Sequence, residues 1–185
     1  VGWLLQGPTL EQEINFFNEF MQFIDKLNPE IKSKLKFRLK KIFGYNYTKQ
    51  FSKIFGEEKI DKFADDNPIN KTLLNSKLII ATYPLTSFSE AMNTNIPTIL
   101  IMQKNHWQFT KTSLDTFETL KKNHIAFDNL DEAKNHINKH WNELRAWWNN
   151  EDVQLARKKY LSNFYNVKTN WHQEWSDYIY SSKHL

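Results

Sequence analysis

Residues 77–102 read KLIIATYPLTSFSEAMNTNIPTILIM, and no other stretch limits the possible fold as strongly. Two apolar runs, 78–81 and 98–102, are short, rich in Ile and bounded by Pro84 and Pro97, which predicts buried strands. Between them Thr86 and Ser87 open a helix. Parallel strands joined by a helix put that helix's first turn at the carboxyl end of the first strand, where free backbone N–H groups attract anionic ligands. The segment therefore predicts an α/β fold with a candidate phosphate site at Thr86 and Ser87.

Thr86-Ser87-Phe88-Ser89-Glu90-Ala91, followed by Asn95-Ile96-Pro97-Thr98, resembles the donor-binding signature in the C-terminal domain of GT-B-type glycosyltransferases. The likeness covers residues 37–178. It extends through Trp147-Trp148-Asn149, Ala156-Arg157-Lys158-Lys159 and Asn170-Trp171-x-x-Glu174-Trp175, which are similar to the end of a family of bacterial surface-carbohydrate transferases. One position departs: GT-B enzymes often carry Gly where this chain has Asn95, although Asn also tolerates a left-handed turn. The resemblance implies a doubly wound, mostly parallel sheet, the Rossmann-like half of a GT-B fold, over residues 1–130, with a helical tail over 131–185. It also implies that Thr86 and Ser87 hold the leaving phosphate, Glu90 the ribose and Arg38 a phosphate. Thr9, after the first strand, joins the same expected nucleotide site.

What the resemblance implies of the reaction is transfer from a nucleotide sugar in bacterial surface-polysaccharide synthesis, without cofactor or essential metal. The catalytic base and the carbohydrate or lipid-linked acceptor would belong to an N-terminal domain. The chain begins at Val1, with strand-like residues 3–6 almost at that end, so it looks cut from a longer protein and inactive alone. The expected place of work is the cytoplasm, at the inner face of the membrane, with peripheral contact at most. No stretch approaches the ~18–20 apolar residues of a membrane span. The chain has no cysteine, which removes disulfides, thiolate catalysis and Cys-ligated metal.

A net charge of +4 is well below that of a dedicated nucleic-acid binder, and no nucleic-acid partner is expected. The charge is uneven. Lys32, Lys34, Lys36, Arg38, Lys40 and Lys41 crowd together, and Leu35, Phe37 and Leu39 alternate with them as in a strand with one apolar face. Such lysines either deter edge pairing from water or face an anion; Arg38, with its planar guanidinium, is the phosphate candidate among them.

Elsewhere the periodicities alternate as in α/β domains. Thr9-x-x-Gln12 fits a capping box ahead of a helix carrying Ile14, Phe17, Met21, Ile24 and Leu27 on one face. A short helix is expected at 48–55, a turn at 65–68 opening the next helix, a loop at 105–107, a helix at 114–122 and a last strand at 125–127. In the tail, Ala133, Ile137, Trp141, Leu144 and Trp148 step as one helical stripe, Val153, Ala156, Tyr160 and Phe164 as another, and Trp171, Trp175, Tyr178 and Ile179 suggest a third. Core packing explains such stripes best; an exposed patch among them would fit an interdomain seam.

Three further readings compete with these. Ser87-x-x-Glu90 is itself a capping-box pattern, in which Glu90 only satisfies a backbone N–H. His106 beside Trp107 is either a donor-sugar contact or an exposed loop residue. His136 and His140 share a helix face, but the zinc-protease Glu and a third ligand are missing, so no metal site is expected. As whole-protein alternatives, the basic segment and Trp-rich tail would suit a non-catalytic module binding an acidic polymer or partner subunit, and the same architecture would suit a nucleotide-sugar epimerase. With only four glycines and no Walker or G-x-G-x-x-G pattern, dinucleotide and P-loop chemistry are set aside.

Overall fold

The computed structural model describes residues 9–39, 47–61, 68–165, 168 and 170–181. Helix α1 (Leu10–Asp25) starts as its sequence predicts. Thr9 accepts from the Gln12 N–H while the Gln12 side chain accepts from the Thr9 N–H, a complete capping box. Helix α2 (Pro29–Lys34) follows. It overturns the expected basic strand. Pro29 pre-sets the first helical turn, and Glu30 pairs with Lys34 at 2.7 Å, so the lysines at 32 and 34 end a helix. The alternation at Leu35, Phe37 and Leu39 survives only as an extended segment with one parallel bridge, Phe37 to Ile60; residues 40 and 41 lie outside the described residues, as do the expected strand at 3–6 and most of the turn at 65–68.

Helices α3 (Tyr47–Phe55) and α4 (Ile69–Leu74) lead to strand β1 (Ile79–Ala81), helix α5 (Thr86–Asn93) and strand β2 (Thr98–Ile101). Helix α6 (Lys111–Lys122), capped by Thr110, precedes strand β3 (Ala126–Phe127). The three strands form a small parallel sheet in the order β1-β2-β3, with Ile79 beside Thr98 and Leu100 beside Ala126. Among the described residues this is α/β architecture with a three-stranded sheet, narrower than the expected Rossmann-like half.

Strand alternation sends side chains to two cores. Ile99, Ile101 and Phe127 meet α1 and the next helix, α7 (Leu130–His140); Leu100, Met102 and Ala126 meet α5 and α6. Both faces of the sheet are thus covered by helices, as near-continuous apolar parallel strands require. Burying Phe88, Met92, Leu100 and Leu120 completely supplies about 1.5–3 kcal/mol each to the second core.

The tail continues as α8 (Leu144–Trp148), α9 (Glu151–Phe164) and α10 (Trp171–Ser181). The stripe from Ala133 to Trp148 is not one helix. The chain turns at 141–143, so Ala133, Ile137, Trp141 and Leu144 fill the α1 core while Trp148 crosses into the α5 core. Helix α10 buries no residue: Trp171, Trp175, Tyr178, Ile179 and Tyr180 are all exposed.

Candidate functional site

The carboxyl ends of the strands point at one side of the molecule. After Ala81 the chain bends through Pro84 and Leu85 into α5, and after Ile101 it runs through a 3-10 turn, Lys104–His106, into Trp107. Between these two connections lies an open cleft of about 710 Å³. Thr86 and Ser89, one turn apart on α5, form one wall; His106, Trp107 and Gln108 form the other. Gln12 closes it from the first turn of α1, and Tyr160, Phe164 and Tyr165 from α9 and its end.

Helix α5 begins at Thr86, with Leu85 as N-cap in an extended conformation (φ −114°, ψ −161°) and no side-chain cap. Ser87 is therefore the second helical residue and Glu90 does not reach back to cap it, which removes the capping-box reading of that pair. An N-cap must stand outside the helix, and Pro84 with Leu85 already supplies that extended entry. No side chain caps the first turn of α5; the Phe88 N–H is taken by the Leu85 carbonyl at 2.9 Å, which leaves the N–H groups of Thr86 and Ser87 outside the helical ladder.

Of the residues singled out from sequence, Thr86 and His106 both line the cleft. Ser87 and Glu90 are half-buried on α5 outside the cleft lining; Glu90, four residues after Thr86, flanks the cleft face of the helix. Thr9 is the cap of α1 and reaches the site only through Gln12. Arg38 lies elsewhere. Its Nη1 donates to Asp61 Oδ2 at 2.9 Å and to Thr72 Oγ1 at 3.0 Å, while Thr72 donates to the same carboxylate oxygen at 2.7 Å. With side chains 13% and 11% exposed, Arg38 and Asp61 join the Phe37–Ile60 bridge to α4 instead of meeting the cleft.

The tail contributes residues that sequence reasoning left in the core. Ser89 Oγ and Tyr160 Oη lie 2.8 Å apart on the cleft floor. Burial pushes the Tyr160 phenol above its ordinary pKa, and the Ser89 contact partly opposes this. Arg157 Nε donates to the Met92 carbonyl at 2.7 Å and its Nη2 to the Asn93 carbonyl at 3.2 Å, satisfying the carboxyl end of α5. Burial holds that guanidinium below its usual pKa. Ser89 was within reach of sequence reasoning, because it repeats Thr86 at a helical turn; Tyr160 and Arg157 carried no local signal.

The histidines at 136 and 140 belong to a cluster of aromatic rings. His124 and His140 rings sit 5.1 and 4.5 Å from the His136 ring, which also meets Trp147 edge-on at 4.7 Å. The rings stack and pack. Among the described residues no group of three or more His, Asp or Glu is placed to hold a metal ion.

The family model described as LIC12162 family transferase matches residues 4–179 of this chain. No curated protein and no solved structure matches it significantly.

Proposed function

The chain belongs to the LIC12162 family of transferases, and from that premise we propose that it is the nucleotide-sugar-binding part of a glycosyltransferase in bacterial surface-polysaccharide synthesis. The observation that carries this reading is the cleft at the carboxyl ends of the parallel strands, with Thr86 and the uncapped start of α5 on one side and His106 on the other. A glycosyl transfer must stabilise charge on the departing phosphate while fixing the sugar towards its acceptor. Thr86, Ser87 and the first-turn N–H groups hold that phosphate; Glu90, one turn on, accepts from the ribose hydroxyls; His106 contacts the donor sugar. In this reading the helix end does the work of a cation, no essential metal takes part, and the acceptor and its base come from another domain. No helix among the described residues is long and apolar enough to cross a membrane, which fits work at the inner membrane face through peripheral contact.

Calorimetry with CMP, UDP, GDP, ADP and inorganic phosphate, on this chain and on Glu90→Gln, tests the reading. One nucleotide should bind in preference, and Glu90→Gln should weaken it by about tenfold, the loss of a hydrogen bond to a charged group, with unchanged melting temperature because Glu90 caps nothing. Equal binding of all nucleotides, or none, overturns it.

A second reading has its own observation. The exposed aromatic face of α10 suits a partner-binding module with no chemistry of its own. Binding to an acidic polymer that falls steeply with salt and ignores nucleotide identity favours it.

A further inference from the structure

Trp107 and Phe109 line two adjoining clefts, and only one of them has α5 in its lining. The second, at the carboxyl ends of β2 and β3, is an open cleft of about 610 Å³. Gln103, Asn105 and Asp128 supply its polar groups; Trp107, Phe109 and Leu114 supply its apolar wall. Two of the polar groups are held in place from behind. Gln103 Nε2 donates to Glu19 Oε2 on α1 at 2.5 Å, which fixes the amide and turns its donor end towards α1. Lys121 Nζ donates to Asp128 Oδ2 at 2.5 Å, which fixes the carboxylate while Oδ1 remains available to accept. The hydrogen bond with Asp128 is the main cause that raises the Lys121 pKa above its ordinary value.

We propose that this second cleft binds an uncharged pyranose ring, as a free saccharide or as part of a longer glycan. A pyranose presents an apolar C–H face and a rim of hydroxyls. The face matches the broad indole of Trp107, and the rim matches the Asp128 carboxylate and the Gln103 amide oxygen, which accept, and the Asn105 amide, which both donates and accepts. Pockets that orient a small ligand combine such an apolar wall with a few fixed polar groups. Charge separates this ligand from the one in the α5 cleft. Among the described residues no lysine or arginine lines this cleft, and the nearby Lys121 charge is already matched by Asp128, so a phosphate has no cation to meet and a neutral, hydroxyl-rich ring is the better match. The proposal does not depend on a nucleotide binding beside α5, because its ligand and its carboxylate are different.

Saturation-transfer NMR on the full chain tests it, with methyl pyranosides of glucose, galactose, mannose and N-acetylglucosamine as probes. At least one should show ring-proton enhancements. Asp128→Asn should weaken its binding by about tenfold, the loss of a charge-assisted hydrogen bond, and Leu114→Trp, which fills the cleft, should abolish it, both with a cooperative urea-unfolding midpoint close to wild type. Enhancements that persist when saturating CMP, UDP and GDP are added support a separate subsite. Displacement of the glycoside by nucleotide alone overturns it, because the sugar would then occupy the α5 cleft. No enhancement with any probe, or enhancements indifferent to both substitutions, also overturns it.

Discussion

Trp148 donates its indole N–H to both oxygens of Asn95, at 2.9 Å to the side-chain oxygen and 3.1 Å to the carbonyl. Asn95 has φ +58°, in the left-handed region, at the turn that ends the α5 crossover and starts β2. Arg145 Nη1 adds a third bond, 3.1 Å, to the same carbonyl. With Arg157 on the Met92 and Asn93 carbonyls and Tyr160 on Ser89, the tail grips α5 at its middle, its end and its exit turn. The helix that forms a wall of the cleft is therefore positioned by residues from α8 and α9. Family-like sequence in the tail and in the crossover belongs to one mechanical unit.

Asn95 should tolerate glycine better than alanine. Either change loses the bond from Trp148 to the side-chain oxygen, but only alanine must hold a Cβ in the left-handed region, at about 1 kcal/mol extra. Urea unfolding should rank wild type above Asn95→Gly and Asn95→Gly above Asn95→Ala. Equal stability of the two variants would remove the conformational argument and leave the hydrogen bond alone.

Tyr160→Phe should cost about 1–3 kcal/mol, because it leaves the buried Ser89 hydroxyl without its partner on the cleft floor. Adding Ser89→Ala should recover part of that loss, since the orphaned hydroxyl is then gone. A double variant whose loss equals the sum of the two single losses would show that the pair is not coupled.

How much of this was readable in advance depended on sequence separation. The Thr9 cap, the crossover from β1 through α5 to β2, and the burial of β2 follow from signals within a few positions, and the structure has them, although β1 is only half-buried. The basic segment misled because its alternation at Leu35, Phe37 and Leu39 is genuine. Pro29 and the Glu30–Lys34 pair just ahead of it start a helix that takes in Lys32 and Lys34. Arg38 reads as an anion ligand only until Asp61 and Thr72 appear beside it, from positions 23 and 34 residues away. The same holds for the cleft floor, where Ser89 and Tyr160 are 71 residues apart. Periodicity identifies Tyr160 as core but says nothing of which hydroxyl it meets.

Gly56 holds φ +94°, the turn that returns the chain from α3 to the Phe37–Ile60 bridge. A Cβ there meets the Glu58 carboxyl within 2.3–2.7 Å, but that side chain is flexible and can swing aside. The backbone angle cannot. Gly56→Ala should thus lower stability by about 1–2 kcal/mol, and combining it with Glu58→Ala should not restore the loss. Full recovery in the double variant would mean that the steric contact, and not φ, sets the requirement for glycine.

Stability should fall as acid is added because of His136. Its ring is 9% exposed, and Nε2 has no hydrogen-bond partner among the described residues, so a charged imidazolium has nothing there to receive its second proton. Burial is the main cause that lowers its pKa to about 3, with His140, His124 and Lys139 adding like charge. His140 is lowered too, first by burial, while Glu143 works against that shift. Phe127 and Trp147, also in ring contact with it, carry no charge to compensate. The folded state therefore keeps His136 neutral while the unfolded chain binds a proton near pH 6.5. The unfolded state holds more protons below that value, so stability present above pH 6.5 is lost progressively towards pH 3, at up to about 1.4 kcal/mol per pH unit for one proton. His136→Phe keeps a ring against Trp147 and cannot be protonated. Urea unfolding of wild type and variant from pH 8 to pH 4 should give a constant difference above pH 7 and a widening advantage for the variant below it. Parallel curves across the whole range would mean that His136 finds solvent or a partner when charged, and the acid sensitivity would then have to come from other groups.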